Sequence, residues 1–207
     1  MSFQLKPNDT ILFTGDSITD CGRRDPATAP LGTGYVRMIA DDLKKISDEL
    51  TVVNTGIGGN RAVDLQSRWQ FDVLDHRPGV LTIMIGINDT WRRYDAGNPT
   101  SVEAFEEHYR DILTRSRNKL TAQIVLFEPF LVEVTEAQRS WREDLDPKIE
   151  VVRTLAAEFD TTLIPTDALM AGAAQELGAS SVAADGVHPT EAGHRVLADA
   201  WLDLLDR

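Results

Sequence analysis

Cysteine is nearly missing from this chain: Cys21 is the only one in 207 residues. That excludes an intrachain disulfide and any metal site built from clustered cysteines, and nothing calls for an oxidising compartment. Positive charge is short as well. Lys and Arg number 21 against 33 Asp and Glu, a formal net charge of −12 with a pI near 4.7. A field of that sign disfavours nucleic acid and anionic membrane surfaces but leaves a small neutral substrate open. Long apolar runs are absent, so no stretch approaches the length of a membrane span, and residues 1–7 lack an apolar signal core. No low-complexity tract or fixed-period repeat occurs. Together these absences predict a soluble, cytoplasmic protein.

What is present is a 42% hydrophobic, 26% charged chain, enough for one domain over residues 1–207 with a sizeable core. Short apolar runs at 10–14, 51–54, 80–85, 122–127 and 161–164 alternate with helical patterns at 34–48, 61–74, 101–119, 141–158, 166–175 and 190–205. The runs at 80–85 and 122–127 are almost continuously apolar, as strands buried on both faces are. The alternation predicts a three-layer α/β/α fold, flavodoxin-like, with a five-stranded parallel sheet in the order 2-1-3-4-5. Segments 15–33, 86–100, 128–140 and 176–189 read as long connections. The first two follow strands directly, which sets them at the carboxyl edge of the sheet, where ligands bind in such folds.

Four short stretches in these connections and after strand two carry side chains suited to chemistry. Asp185-Gly186-Val187-His188 puts a carboxylate and an imidazole three positions apart in a loop closed by Pro189. Asp185 can fix the ring through Nδ1, leaving Nε2 as a base aimed at Ser17, which follows the first strand in Gly15-Asp16-Ser17. Gly56-Ile57-Gly58-Gly59-Asn60 lets backbone approach a ligand closely, and Asn88 in Gly86-Ile87-Asn88-Asp89 can turn its amide toward a developing oxyanion. Each stretch has a plainer reading too. Asp16 and Ser17 cap turns well, His188-Pro189 can simply start a helix, glycines punctuate strand–helix joints, and Asn88 can close an Asx turn. Convergence of all four on one sheet edge favours the chemical reading. A metal-dependent phosphohydrolase using Asp16, Asp89, Asp185 and His188 is the rival arrangement.

These residues resemble the blocks of the SGNH (GDSL-type) hydrolases, in family order over nearly the whole chain. The first block is Gly15-Asp16-Ser17, the second Asn54 with Gly59, the third Gly86-Ile87-Asn88-Asp89 and the fifth Asp185-Gly186-Val187-His188. The resemblance implies an SGNH hydrolase fold, Ser17 as nucleophile, and Asp185 and His188 as the rest of a triad. It also implies an oxyanion hole made by the Ser17 N–H, the Gly59 N–H and the Asn88 side chain, with no metal or cofactor. Residues 15–23, 31–36 and 83–95 further resemble intracellular acetylxylan esterases, which deacetylate xylo-oligosaccharides. That subgroup carries tryptophan just before the fifth-block aspartate, where this chain has Ala184, so the sugar-facing wall is expected to differ there.

The expected reaction is therefore hydrolysis of short acyl, chiefly acetyl, esters of sugars. Trp91 either lines the pocket or packs in the core. A lysophospholipase or thioesterase with the same machinery, and a non-catalytic carbohydrate-binding relative, are the alternatives. A homo-oligomer is left open, with Trp141 or Trp201 as an exposed interface contact, although Trp201 also suits the core.

Overall fold

The structure is a computed structural model that describes residues 3–206. Its centre is a parallel sheet of five strands, β1 (Thr10–Gly15), β2 (Thr51–Asn54), β3 (Val80–Met84), β4 (Gln123–Phe127) and β5 (Thr162–Ile164), in the order β2-β1-β3-β4-β5. Phe13 lies opposite both Asn54 and Thr82, so β1, β2 and β3 are in parallel register. All five residues of β3 are buried, which is why its sequence is almost purely apolar rather than alternating.

Alternate side chains of each strand feed two cores. On one face Ile11, Phe13, Val125 and Phe127 meet α2 (Tyr35–Lys44) and α9 (Glu191–Leu202) through Tyr35, Ile39, Leu197 and Trp201. On the other, Leu12, Leu81, Ile83, Ile124 and Leu126 meet α3 (Ala62–Asp72), α5 (Val102–Lys119) and α6 (Arg142–Glu158) through Leu65, Trp69, Tyr109, Ile112 and Val152. The buried Trp201 indole donates to Thr82 Oγ1 at 2.9 Å, satisfying a polar strand side chain inside the core.

The connections hold more structure than the sequence pattern predicts. Segment 15–33 opens with the single turn α1 (Ser17–Asp20), and 86–100 is mostly the helix α4 (Ile87–Asp95). Segment 128–140 ends in a 3-10 helix, Glu136–Trp141, and α7 (Thr166–Leu177) is followed by the short α8 (Ala179–Val182). A further 3-10 turn, Leu74–His76, follows α3. Trp141 and Trp201 are both buried, at 9% and 0% exposure, so neither is the exposed interface contact considered above. Each is consumed by ring packing within the chain, Trp141 on Tyr94 and Trp201 on Phe3 and Phe13.

Candidate active site

Ser17 is the first residue of α1, at the carboxyl end of β1. Asp16 N-caps that turn, its Oδ1 accepting the Ile18 N–H at 3.0 Å. The capping role thus falls to Asp16, which shapes the turn, while Ser17 presents its hydroxyl. As a first-turn residue Ser17 has no intrahelical acceptor for its own N–H.

The loop before α9 comes to meet it. His188 Nε2 lies 2.9 Å from Ser17 Oγ, although 171 residues separate them. His188 Nδ1 lies 2.6 Å from Asp185 Oδ2. An ionised carboxylate only accepts, so Nδ1 carries the proton and Nε2 is left as the acceptor for the serine hydroxyl. Asp185 Oδ1 also accepts the N–H groups of His188 (2.7 Å) and Val187 (2.9 Å). Partial burial pushes the Asp185 carboxyl upward, but its bonds from the His188 ring and from these two N–H groups outweigh that and hold it below its ordinary value.

The opposite wall is the loop after β2. Buried Asn54 donates to the carbonyls of Thr19 (2.7 Å) and Leu31 (3.0 Å) and accepts the Gly56 N–H, tying β2 to the turn that carries Ser17. Gly58 N–H donates to Asp20 Oδ2 at 3.0 Å. A Cβ on Gly58 would sit 3.7 Å from Ser17 Cβ, which sets this loop directly beside the serine. Gly59 has φ +82, a conformation that favours glycine, and borders open space. Arg68 of α3 spans the back of the loop. Its guanidinium donates to Asn60 Oδ1 (2.8 Å) and to the carbonyls of Thr55 (2.7 Å) and Gly15 (3.1 Å).

Asn88 is not in an open Asx turn but in the first turn of α4, buried at 2% exposure, with Nδ2 donating to the Asn60 carbonyl at 3.1 Å. The amide carries two protons, so one remains for a further acceptor. Asp89 beside it accepts the Ala62 N–H at 3.1 Å, joining α4 to the start of α3. Burial raises Asp89 to about 6 and Asp16 to about 7. Asp16 keeps Oδ2 buried without a hydrogen-bond partner among the described residues. Two carboxyl groups thus lie under the site where desolvation favours the neutral acid.

Trp91 is half-buried on α4. It packs against Trp141, and its ring centroid is 5.7 Å from that of His188. Tyr94 stacks on Trp141 at 5.2 Å, and its hydroxyl donates to the Ser140 carbonyl at 2.8 Å. The result is an aromatic shelf flanking the imidazole. Ala184 is exposed next to Asp185. For the phosphohydrolase arrangement the geometry is poor: Asp185 and His188 are committed to each other, and Asp16 is only 1% exposed. Among the described residues no group of three or more His, Cys, Asp or Glu side chains is arranged to hold a metal ion.

Sequence reasoning missed Arg68 and Gln138. The local signal at Arg68 is only its i,i+4 ion pair with Asp72, because its other partners, the Asn60 side chain and two backbone carbonyls, lie on other elements. Gln138, whose amide donates to the Asp185 carbonyl at 2.7 Å, does have one: Thr135-Glu136-Ala137-Gln138 is a capping-box pattern.

Known proteins with the same pattern bear on this geometry. The model of the GDSL-like lipase/acylhydrolase family matches residues 13–196. An acetylxylan esterase of Geobacillus stearothermophilus is 38% identical over 96% of this chain and 94% of its own length. A crystal structure of an acetylxylan esterase from that organism superposes with a TM-score of 0.88 at 35% identity, over 98% of this chain and 96% of that one. A GDSL-like lipase from Parabacteroides merdae ATCC 43184 gives 0.92 at 35% identity, over 99% and 98%. No helix among the described residues is long and apolar enough to cross a membrane. The chain belongs to the GDSL-like lipase/acylhydrolase family and is a carboxylic ester hydrolase.

Proposed function

We propose that this hydrolase is a serine esterase that removes acetyl groups from xylo-oligosaccharides or related sugars. The observation that carries the reading is the continuous line Ser17 Oγ–His188 Nε2 and His188 Nδ1–Asp185 Oδ2, at 2.9 and 2.6 Å. In the mechanism, His188 takes the Ser17 proton as Oγ attacks the ester carbonyl. The oxyanion is held by the N–H groups of Ser17 and Gly59 and by the Asn88 amide. His188 then protonates the leaving sugar alkoxide, and water activated by the same ring releases acetate. Asp185 orients the ring and stabilises its charged form without taking the proton.

The acetylated-sugar assignment is supported by the identity to the Geobacillus acetylxylan esterase and by the aromatic shelf of Trp91, Trp141 and Tyr94 beside His188, since aromatic faces suit sugar rings. Catalytic variants of that esterase replace a serine, an aspartate and a histidine by alanine. The residue just before its aspartate is tryptophan, where this chain has Ala184. We take residues 1–207 as one hydrolase domain acting in the cytoplasm, a reading to which the lone Cys21 conforms.

A rate panel over acetylated xylo-oligosaccharides, other acetylated sugars and acyl esters of rising chain length tests the proposal. Highest kcat/KM on the acetylated xylo-oligosaccharides is expected. Highest values on long acyl esters would replace the reading with a lysophospholipase or thioesterase.

A further inference from the structure

Gln138 lies outside every motif block, yet it touches the catalytic loop. It is buried, at 6% exposure, and both ends of its amide are engaged. Oε1 accepts the N–H groups of Val134 (3.0 Å) and Thr135 (3.1 Å), the second completing the capping box that starts the 3-10 helix Glu136–Trp141. Nε2 then points away from that helix and donates to the Asp185 backbone carbonyl at 2.7 Å. Val132 N–H reinforces the contact by donating to the Gly186 carbonyl at 2.9 Å. Gly186, at φ +89, is what allows the two segments to lie flush. A Cβ there would come within 2.5 Å of Gln138 Nε2 and 2.6 Å of the Val132 carbonyl oxygen.

Asp185 is therefore gripped at both ends. Its carboxylate is held by the His188 ring and by two loop N–H groups, and its carbonyl by Gln138. The carboxylate contacts are all internal to residues 185–188, so they fix the loop's shape but not its orientation. Orientation relative to Ser17 has to come from outside the loop. The side chain that reaches in from elsewhere to the triad aspartate is Gln138. Trp141, three residues further along the same 3-10 helix, packs against Trp91 and Tyr94.

We propose that Gln138 is a positioning residue for hydrolysis. By donating to the Asp185 carbonyl it sets the direction from which His188 Nε2 meets Ser17 Oγ, and it mounts the triad loop and the aromatic shelf on one short helix. The inference rests on the esterase reading above. Small misplacements of a catalytic base are costly because proton transfer needs hydrogen-bond distance and alignment.

The substitution Gln138→Glu separates positioning from capping. Glutamate keeps both acceptor bonds and hence the cap, but it loses the donor and sets a carboxylate against the Asp185 carbonyl. Thr135→Ala does the reverse: it weakens the cap and leaves the Gln138–Asp185 bond in place. On a small aryl acetate, Gln138→Glu should lower kcat about ten- to a hundredfold with KM within roughly twofold of the parent, while Thr135→Ala keeps the parental kcat. A kcat for Gln138→Glu close to parental, or an equal loss in both variants, would overturn the proposal. A second readout needs no turnover. The low-field proton NMR resonance of the His188–Asp185 hydrogen bond should broaden or vanish in Gln138→Glu and persist in Thr135→Ala; persistence in both overturns the proposal. If the parent itself hydrolyses no aryl acetate, the esterase reading fails and this resonance alone decides the role of Gln138.

Discussion

The two sides of Ser17 are built on opposite plans. On the base side, the Asp185 and His188 side chains are 48% and 45% exposed, and their mutual contact spans a four-residue loop. On the side proposed to hold the oxyanion, Asn88, Asn54 and Asp89 are 2%, 5% and 0% exposed and are bonded to backbone on three different elements. The contrast follows from what each side does. A general base must exchange its proton with substrate and water, so it stands at the surface. A donor that receives a developing charge gains most when it need not reorganise, and the proposed side-chain donor, Asn88, is buried and fixed on the Asn60 carbonyl, whereas Gly59 of the loop above it is exposed. Damage on the base side should then remove activity and spare stability, whereas damage on the oxyanion side should cost both.

Ser17→Ala and His188→Ala make the largest break. Each is expected to lower kcat by roughly 10⁶-fold with little change in Tm. Stopped activity with a large loss of Tm would show the base side to be a structural element. Asp185→Asn should come next, at about 10⁴-fold in kcat, because an amide cannot hold the same ring tautomer. Asn88→Ala is expected to reduce kcat by roughly 10²–10³-fold and also to lower Tm, since the Asn60 carbonyl loses its donor. A change confined to KM would make Asn88 a binding residue instead. Arg68→Ala tests the supporting layer: three acceptors behind the loop after β2 each lose a donor, for a stability cost of about 1–3 kcal/mol read by urea unfolding. A cost confined to kcat would break the comparison.

The smallest effect concerns pH. Burial raises Asp16 to about 7 in the folded chain, from an ordinary value of 3.8. The folded state therefore binds this proton more tightly, so the associated stability is fully present below pH 3.8 and is lost as pH rises to about 7. Asp16→Asn removes the ionisation. Its Tm relative to the parent should climb between pH 4 and pH 8, and a difference independent of pH would contradict the buried-acid description.

How much of this was legible in the sequence varies with the kind of contact. The strands were readable to within a residue or so, because β3 and β4 are buried on both faces and leave continuous apolar runs. The meeting of Ser17, His188 and Asp185 was readable too, since Gly15-Asp16-Ser17 and Asp185–His188 are local patterns that the sheet edge brings together. Helix α4 was not. Its buried residues, Ile87 through Thr90, are consecutive rather than three and four apart, because that end is sunk into the site instead of lying on the core. The 3-10 helix Glu136–Trp141 escaped for a related reason: its capping box is followed by no apolar run, and the partner of Gln138 lies 47 residues away.

Covalent labelling tests the central claim, that His188 makes Ser17 a nucleophile, most directly. The parent and His188→Ala would be treated with diethyl p-nitrophenyl phosphate, digested and mapped by mass spectrometry. The account predicts one phosphoryl adduct on Ser17 in the parent, rising in step with loss of esterase activity, and almost none in His188→Ala. Inactivation with the adduct on another residue, or activity that survives with Ser17 fully labelled, would contradict it.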